Sequence, residues 1–128
     1  MKLLITLAGA GAIFCAVSVC AVGAGAAEPI TIRTETAGEL AENCGANPRQ
    51  PGADARINFC HGYAQGAITV QQHYAGDKKL FCLPNPAPSR AETMNQFVAW
   101  VRANPDRRSM KSDVGLFKFL EERFPCKS

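Results

Sequence analysis

The chain is poor in the residues from which catalytic and metal sites are built. It has two histidines, His61 and His73. They lie about a third of a turn apart around a helix of 3.6 residues per turn, so they do not converge. Neither has a carboxylate at ligand spacing on its own turn. A Cys60–His61 metal pair would need neighbouring helix positions to point the same way, and they do not. There is no Cys-x-x-Cys redox motif and no glycine-rich phosphate loop. Glu121-Glu122 reads as a solvated pair on a terminal helix, because working carboxylates need a cleft that shifts their pKa. Charge is thin as well: 14 Lys and Arg against 11 Asp and Glu, a formal net charge of +3. The basic pairs Lys78-Lys79 and Arg107-Arg108 are isolated. They lack the stripe and interleaved aromatics of a nucleic-acid surface. Strong strands, repeats and internal linkers are also missing. These absences leave no enzyme, no cofactor, no metal and no nucleic acid in the expected reading.

One long apolar run is present, and it is at the start. Lys2 gives a positive beginning, Leu3 to Val22 is apolar, and small residues follow at Ala24-Gly25-Ala26-Ala27. This is the pattern of a secretory signal peptide, residues 1–27, with cleavage after Ala26 or Ala27. A retained anchor is the weaker reading, because the Gly/Ala-rich peptidase site argues for removal. Val19 beside Cys20 is a poor fit to a lipidation site. The expected compartment is the periplasm, with membrane contact only through the uncleaved leader. The mature part is roughly 100 residues, the size of one small domain with a modest core.

Cys15 and Cys20 leave with the leader. Cys44, Cys60, Cys82 and Cys126 remain, an even count in a small exported domain, which reads as a disulfide frame. A buried, oxidised Cys60 is also no candidate nucleophile.

Between the cysteines the spacing is helical. Residues 28–35 form an extended arm. Thr36-x-x-Glu39 is a capping box, and a short helix follows with Leu40 and Cys44 on one face. Gly45 and Asn47-Pro48 stop it. Asp54 is positioned to cap a long helix from about Ala55 to Tyr74. Ile57, Cys60, Ala64, Ala67 and Gln71 line one side of that helix. Phe59, Tyr63, Gly66 and Val70 line an adjacent one. This broad coverage predicts a central helix touched from several sides. Gly62 and Gly66 would let another helix or the chain approach closely. Tyr63 should pack in the core with its hydroxyl on a partner. Alternate prolines then stiffen a crossing from Pro84 to Pro88. Ser89-x-x-Glu92 opens a third helix with the stripe Met94, Phe97, Val98 and Val101. Asn104-Pro105 stops it. The last helix runs from about Ser109 or Met110 to Arg123, with Val114, Phe117, Leu120 and Phe124 as its stripe and Leu116 flanking. Trp100 and Phe119 lie off their stripes.

Four cysteines allow three pairings. Cys60 lies near the start of the long helix, so the chain would have to run back almost fully extended for Cys82 to reach it. Cys44 and Cys60 flank a short loop between two helices, which fits a bridge. The third and fourth helices are of similar length and joined tightly, so their outer ends meet and Cys82–Cys126 follows. The expected fold is all-α, a small bundle of about four helices stapled by Cys44–Cys60 and Cys82–Cys126.

Several pieces in order resemble the Rap/Tai family of type VI secretion immunity proteins. They are Leu40…Cys44, Cys60-x-Gly62-Tyr63-x-x-Gly66, Cys82-x-Pro84, Val98-x-x-Val101-x-x-Asn104-Pro105 and Leu116-x-x-x-Leu120-x-x-x-Phe124-Pro125-Cys126. The domain resembling the family occupies residues 36–128. Asn85-Pro86-Ala87-Pro88 departs from the Gly-Val-Thr type turn expected after Cys-x-Pro. The resemblance implies a periplasmic, disulfide-bonded helical protein. It would bind and block a secreted peptidoglycan amidase effector, and in some members it would form a homodimer. The matched residues carry the fold and no inhibitory contact, so the partner-binding residues stay unassigned. Loops on a rigid scaffold are the candidate surfaces: Asn47–Ala53, Asp77–Lys79 and Pro84–Ser89. Trp100 and Phe119 are the candidate aromatic anchors, against ordinary edge packing. The competing class is a periplasmic stress chaperone or structural envelope protein with no toxin partner.

Overall fold

A short helix made largely of small residues occupies the middle of the molecule. The computed structural model describes residues 29–127, so the leader, the first arm residue Glu28 and Ser128 lie outside the described residues. Within them the chain forms five helices and no strand: α1 Ala37–Cys44, α2 Ala53–Tyr74, α3 Arg90–Arg102, α4 Pro105–Arg108 and α5 Ser112–Arg123. No helix among them is long and apolar enough to cross a membrane.

α1 starts at the expected capping box. The Thr36 hydroxyl accepts from the Glu39 N–H, and the Glu39 carboxylate accepts from the Thr36 N–H. Together these satisfy donors that a helix start leaves orphaned. Six of its eight residues are buried, Ala37, Gly38, Leu40, Ala41, Asn43 and Cys44, and it packs against all four other helices. The arm before it is extended and tied down. Asn43 Nδ2 donates to the Arg33 carbonyl at 2.7 Å. The Ser112 N–H donates to the Glu35 carbonyl, and the Ala37 N–H to that of Met110. Thr36 and Lys111 form an isolated antiparallel bridge.

The central helix is therefore α1, not α2 as the apolar coverage predicted. α2 begins earlier than expected, and its cap is Gly52 at φ 76°, not Asp54. Gly52 suits that left-handed conformation because it has no Cβ. Asp54 sits in the first turn instead. Only Ala53, Cys60 and Ala64 of α2 are buried. A Cβ added at Gly62 or Gly66 would meet nothing within 4 Å, so neither glycine admits a close neighbour in this fold. The close approaches are elsewhere. A Cβ on Gly115 would lie 2.6 Å from Ala37 Cβ, and one on Gly38 would lie 3.1 Å from the Arg108 carbonyl oxygen.

α3 buries Met94, Phe97, Val98 and Val101, the expected stripe, with Thr93 beside them. The turn at Asp106-Arg107-Arg108 is the single-turn helix α4, with Pro105 in its first turn and Asn104 accepting from the Asp106 N–H. α5 starts at Ser112, because the backbone before it is occupied by the bridge to the arm. Its inward face is Ser112, Gly115, Leu116, Phe119 and Leu120. The predicted stripe is thus rotated. Val114 is exposed and Phe117 only partly buried, while Phe119 and Leu116 are core. Seating Gly115 on Ala37 fixes that rotation.

Both expected disulfides are present. Cys44–Cys60 closes 16 residues and is buried; Cys82–Cys126 closes 44 at the exposed outer ends of α3 and α5. The Cys82 N–H also donates to the Phe124 carbonyl at 2.8 Å. The chain-entropy account assigns about 3 kcal/mol to the shorter loop and about 4 to the longer. Both are large beside a domain stability of 5–15 kcal/mol. Replacing either cysteine pair with serine is expected to lower stability by about these amounts. Denaturant titration measures it, and an unchanged midpoint would refute the assignment. Gly115→Ala is expected to destabilise by about 1–3 kcal/mol through overpacking against α1, measured the same way.

Candidate functional site

Two surfaces differ from ordinary solvated exterior. The first follows α2 beyond Ala64. A groove of about 730 Å³ runs along Tyr63, Gly66, Val70 and Tyr74 and is walled on the far side by Phe117 of α5. Tyr63 anchors it, with its hydroxyl 2.8 Å from Ser112 Oγ. Val70 is 58% exposed and Tyr74 81%. Phe59 and Val114 are exposed as well. On the groove floor Gln71 Oε1 is buried with no hydrogen-bond partner. The residues from Ile57 to Gly76 include no Asp, Glu, Lys or Arg. A solvated helix ordinarily carries charge, and depletion of charge marks the centre of an interface.

The second surface is the proline crossing. Pro84, Pro86 and Pro88 bridge from Cys82 to the start of α3, and the Asn85–Pro86 peptide is cis. Beside it a groove of about 920 Å³ is lined by Leu83, Glu92, Arg123 and Phe124. Cys82–Cys126 and the proline rings hold this segment rigid, since each ring fixes φ. Arg123 Nε donates to Gln96 Oε1 at 2.7 Å, and its guanidinium lies 5.3 Å from the Phe124 ring centroid. A cation and apolar side chains therefore face solvent together on a braced frame.

The expected anchors are not free for binding. Phe119 is 2% exposed and meets Phe97 edge-on at 5.6 Å. It is core, because the rotation of α5 turned it inward. Trp100 is half-buried between Phe97 and Phe119. Its indole N–H donates to Glu122 at 2.6 Å, and the Arg107 guanidinium stacks 4.0 Å above it. Arg107 also donates to the Trp100 carbonyl at 2.8 Å. Glu122 thus has a structural partner that its place in an acidic pair did not signal. His61 and His73 point apart, and His73 rests edge-on against Tyr74 at 4.9 Å. Among the described residues no group of three His, Cys, Asp or Glu side chains could hold a metal ion.

Neither surface carries a catalytic constellation, but both fit the contacts of a binding protein. The sequence pattern of the Rap1a immunity proteins matches residues 36–126, from the α1 cap to the last cysteine. The chain belongs to the Rap1a immunity protein family. No curated protein and no solved structure matches it. The matched span takes in both disulfides and all five helices. An immunity protein acts on a secreted effector and is normally a binding inhibitor rather than an enzyme, so an effector partner is implied for this member of the family.

Val70 and Val114, which periodicity placed on apolar stripes, are exposed, and so is Tyr74 at the end of α2. For Val70 and Tyr74 the revealing signal is the uncharged stretch over residues 57–76; for Val114, beside Asp113 on α5, it is the rotation of that helix. Phe119→Ala is expected to lower stability by about 3–5 kcal/mol, the range for emptying a buried phenylalanine site. Denaturant unfolding checks this, and a change below about 1 kcal/mol would return Phe119 to the surface.

Proposed function

We propose that this protein is a periplasmic immunity protein that neutralises a cell-wall-degrading amidase effector of a type VI secretion system by covering it. Membership of the Rap1a family across the whole helical domain carries this reading. The two disulfides fit it, because such bridges persist in oxidising compartments. The apolar leader fits it too. Occlusion asks only for a rigid, preformed surface, because ordering a loop on binding subtracts from affinity. The crossing from Pro84 to Pro88 is the segment best suited to contact the effector. It is exposed, braced by a disulfide and stiffened by prolines.

One observation favours a second reading. The exposed apolar groove on α2 is a feature that a periplasmic chaperone would also show. The two readings part in a single experiment. Mature protein is mixed with candidate amidase effectors from the same genome, and hydrolysis of purified peptidoglycan is followed. Stoichiometric inhibition is expected. The double substitution Asn85→Arg, Ala87→Asp is expected to weaken inhibition about tenfold or more, the 1.4 kcal/mol that a single good interface residue carries. Its thermal midpoint should not move. Suppressed aggregation of many unfolded proteins, with no effect on the toxin, would favour the chaperone.

A further inference from the structure

We propose that Cys82–Cys126 is a thiol–disulfide exchange site whose opening releases the crossing at residues 84–88. The exchange and the release stand on this chain alone; their consequence for inhibition rests on the proposed effector surface. The two bridges differ in access. Cys60 is fully buried and Cys44 is 6% exposed, so a thiol reaches their sulfurs only when the core opens. Opened molecules are about 10⁻³ of a folded population or fewer. Cys82 and Cys126 are both exposed in the folded chain. Cys82 lines the groove of about 920 Å³ beside the crossing, together with Arg123 and Lys127. These two cations face one carboxylate there, that of Glu92. A positive surrounding stabilises both an incoming thiolate and a departing one.

The co-reactant is a dithiol. One of its thiolates attacks a sulfur of the bridge, and the S–S bond breaks. The other cysteine of this chain leaves as a thiolate and takes a proton from solvent. The second thiol of the co-reactant then loses its proton and attacks the mixed disulfide, which frees the remaining cysteine. Two electrons pass: the bridge becomes two thiols and the dithiol becomes a disulfide. Little else holds the crossing. Among the described residues no backbone hydrogen bond to another element reaches residues 83–88. Just before them, the Cys82 N–H donates to the Phe124 carbonyl at 2.8 Å, so this bond joins the same two segments as the bridge. Just after them, Ser89 caps α3. Phe81 and Phe124 next to the bridge are buried, and Cys44–Cys60 still ties α1 to α2. The core therefore stays closed while the crossing and residues 125–127 come free. A surface that was preformed then has to be ordered on binding, which lowers affinity.

The test titrates mature, oxidised protein with dithiothreitol at neutral pH, quenches it with an alkylating reagent and maps the cysteines by mass spectrometry. Cys82 and Cys126 are expected to be alkylated at least about a hundredfold faster than Cys44 and Cys60, as the scarcity of opened molecules dictates. A form with only the exposed bridge open is expected to accumulate and to unfold cooperatively. In that form, hydrogen exchange at the amide of position 82 is expected to be at least about tenfold faster, while α1 keeps its protection. The double substitution Cys82→Ser, Cys126→Ser is expected to show the same exchange pattern without reductant. Simultaneous opening of both bridges, loss of the cooperative transition, or an unchanged amide at position 82 overturns the proposal. The consequence is read with candidate amidase effectors from the same genome. Opening the exposed bridge is expected to weaken inhibition about tenfold or more, and reoxidation to restore it. With release shown, equal inhibition by both forms overturns the control of inhibition and takes the crossing out of the effector surface. An oxidised protein that inhibits no amidase overturns the effector reading instead, while exchange and release are decided by alkylation and amide exchange.

Discussion

The contact between Ala37 and Gly115 sets the positions of the other elements. Two helices can cross this closely only where one side has no Cβ and the other has little more. The crossing seats α5 on α1 with Leu116, Phe119 and Leu120 turned inward. At the next residue of α1, Gly38 admits the backbone of Arg108, which places the single-turn helix α4 and through it the end of α3. One residue beyond the last turn, Gly45 lets Val98 and Arg102 of α3 lie against the chain. Small residues along one short helix thus fix three of its neighbours. Cys44 then fixes the fourth, α2, covalently. A helix of eight residues is marginal alone in water. Here tertiary burial and a full capping box hold it.

This arrangement explains why α2 is the odd helix out. It is the longest element, yet its buried residues, Ala53, Cys60 and Ala64, all lie at or before its middle turn. α1 is about one-third as long and cannot cover the rest. Tyr63 is tied to Ser112, and Ala64, Ala67 and Ile68 still pack against the core, but beyond them Val70 and Tyr74 turn an apolar side outward. Burying an exposed Val or Phe side chain is worth roughly 1.5–3 kcal/mol. A row of them left in water is a standing drive for association.

Much of this was legible in the sequence, for identifiable reasons. The four helix starts and stops were written in Thr36-x-x-Glu39, Ser89-x-x-Glu92, Asn104-Pro105 and Pro125. The α3 stripe had large side chains at clean spacing. Both bridges followed from helix lengths and loop lengths alone. The hub was not legible, because α1 packs with Ala37, Gly38 and Ala41, which carry almost no hydrophobic signal. Once that hub was missed, the rotation of α5 could not be derived, and Phe119 and Val114 exchanged places. The same gap hid the site. Apolar residues at 59, 63, 66 and 70 read as core when a neighbour is assumed, and as an unpartnered face only when the structure shows that none arrives. The cap at Gly52 was missed because the left-handed glycine and Asp54 compete for the role, and Ile30 packed against Gly52 helps settle the earlier start.

The two unusual surfaces call for different kinds of partner. The crossing at Pro84–Pro88 is rigid, asymmetric and mixed in chemistry, with Arg123 and Glu92 beside Leu83 and Phe124. Such a mixed, rigid surface suits a foreign protein that supplies the matching charges and pockets. The α2 face carries no fully charged side chain between Arg56 and Asp77 and is largely apolar. Glycine at 62 and 66 sharpens the distinction. In an exposed helix interior each glycine lowers stability by roughly 1 kcal/mol relative to alanine, and neither is required by any contact within the chain. A helix that retains two such residues on one open face gains from them only when another backbone lies against that face.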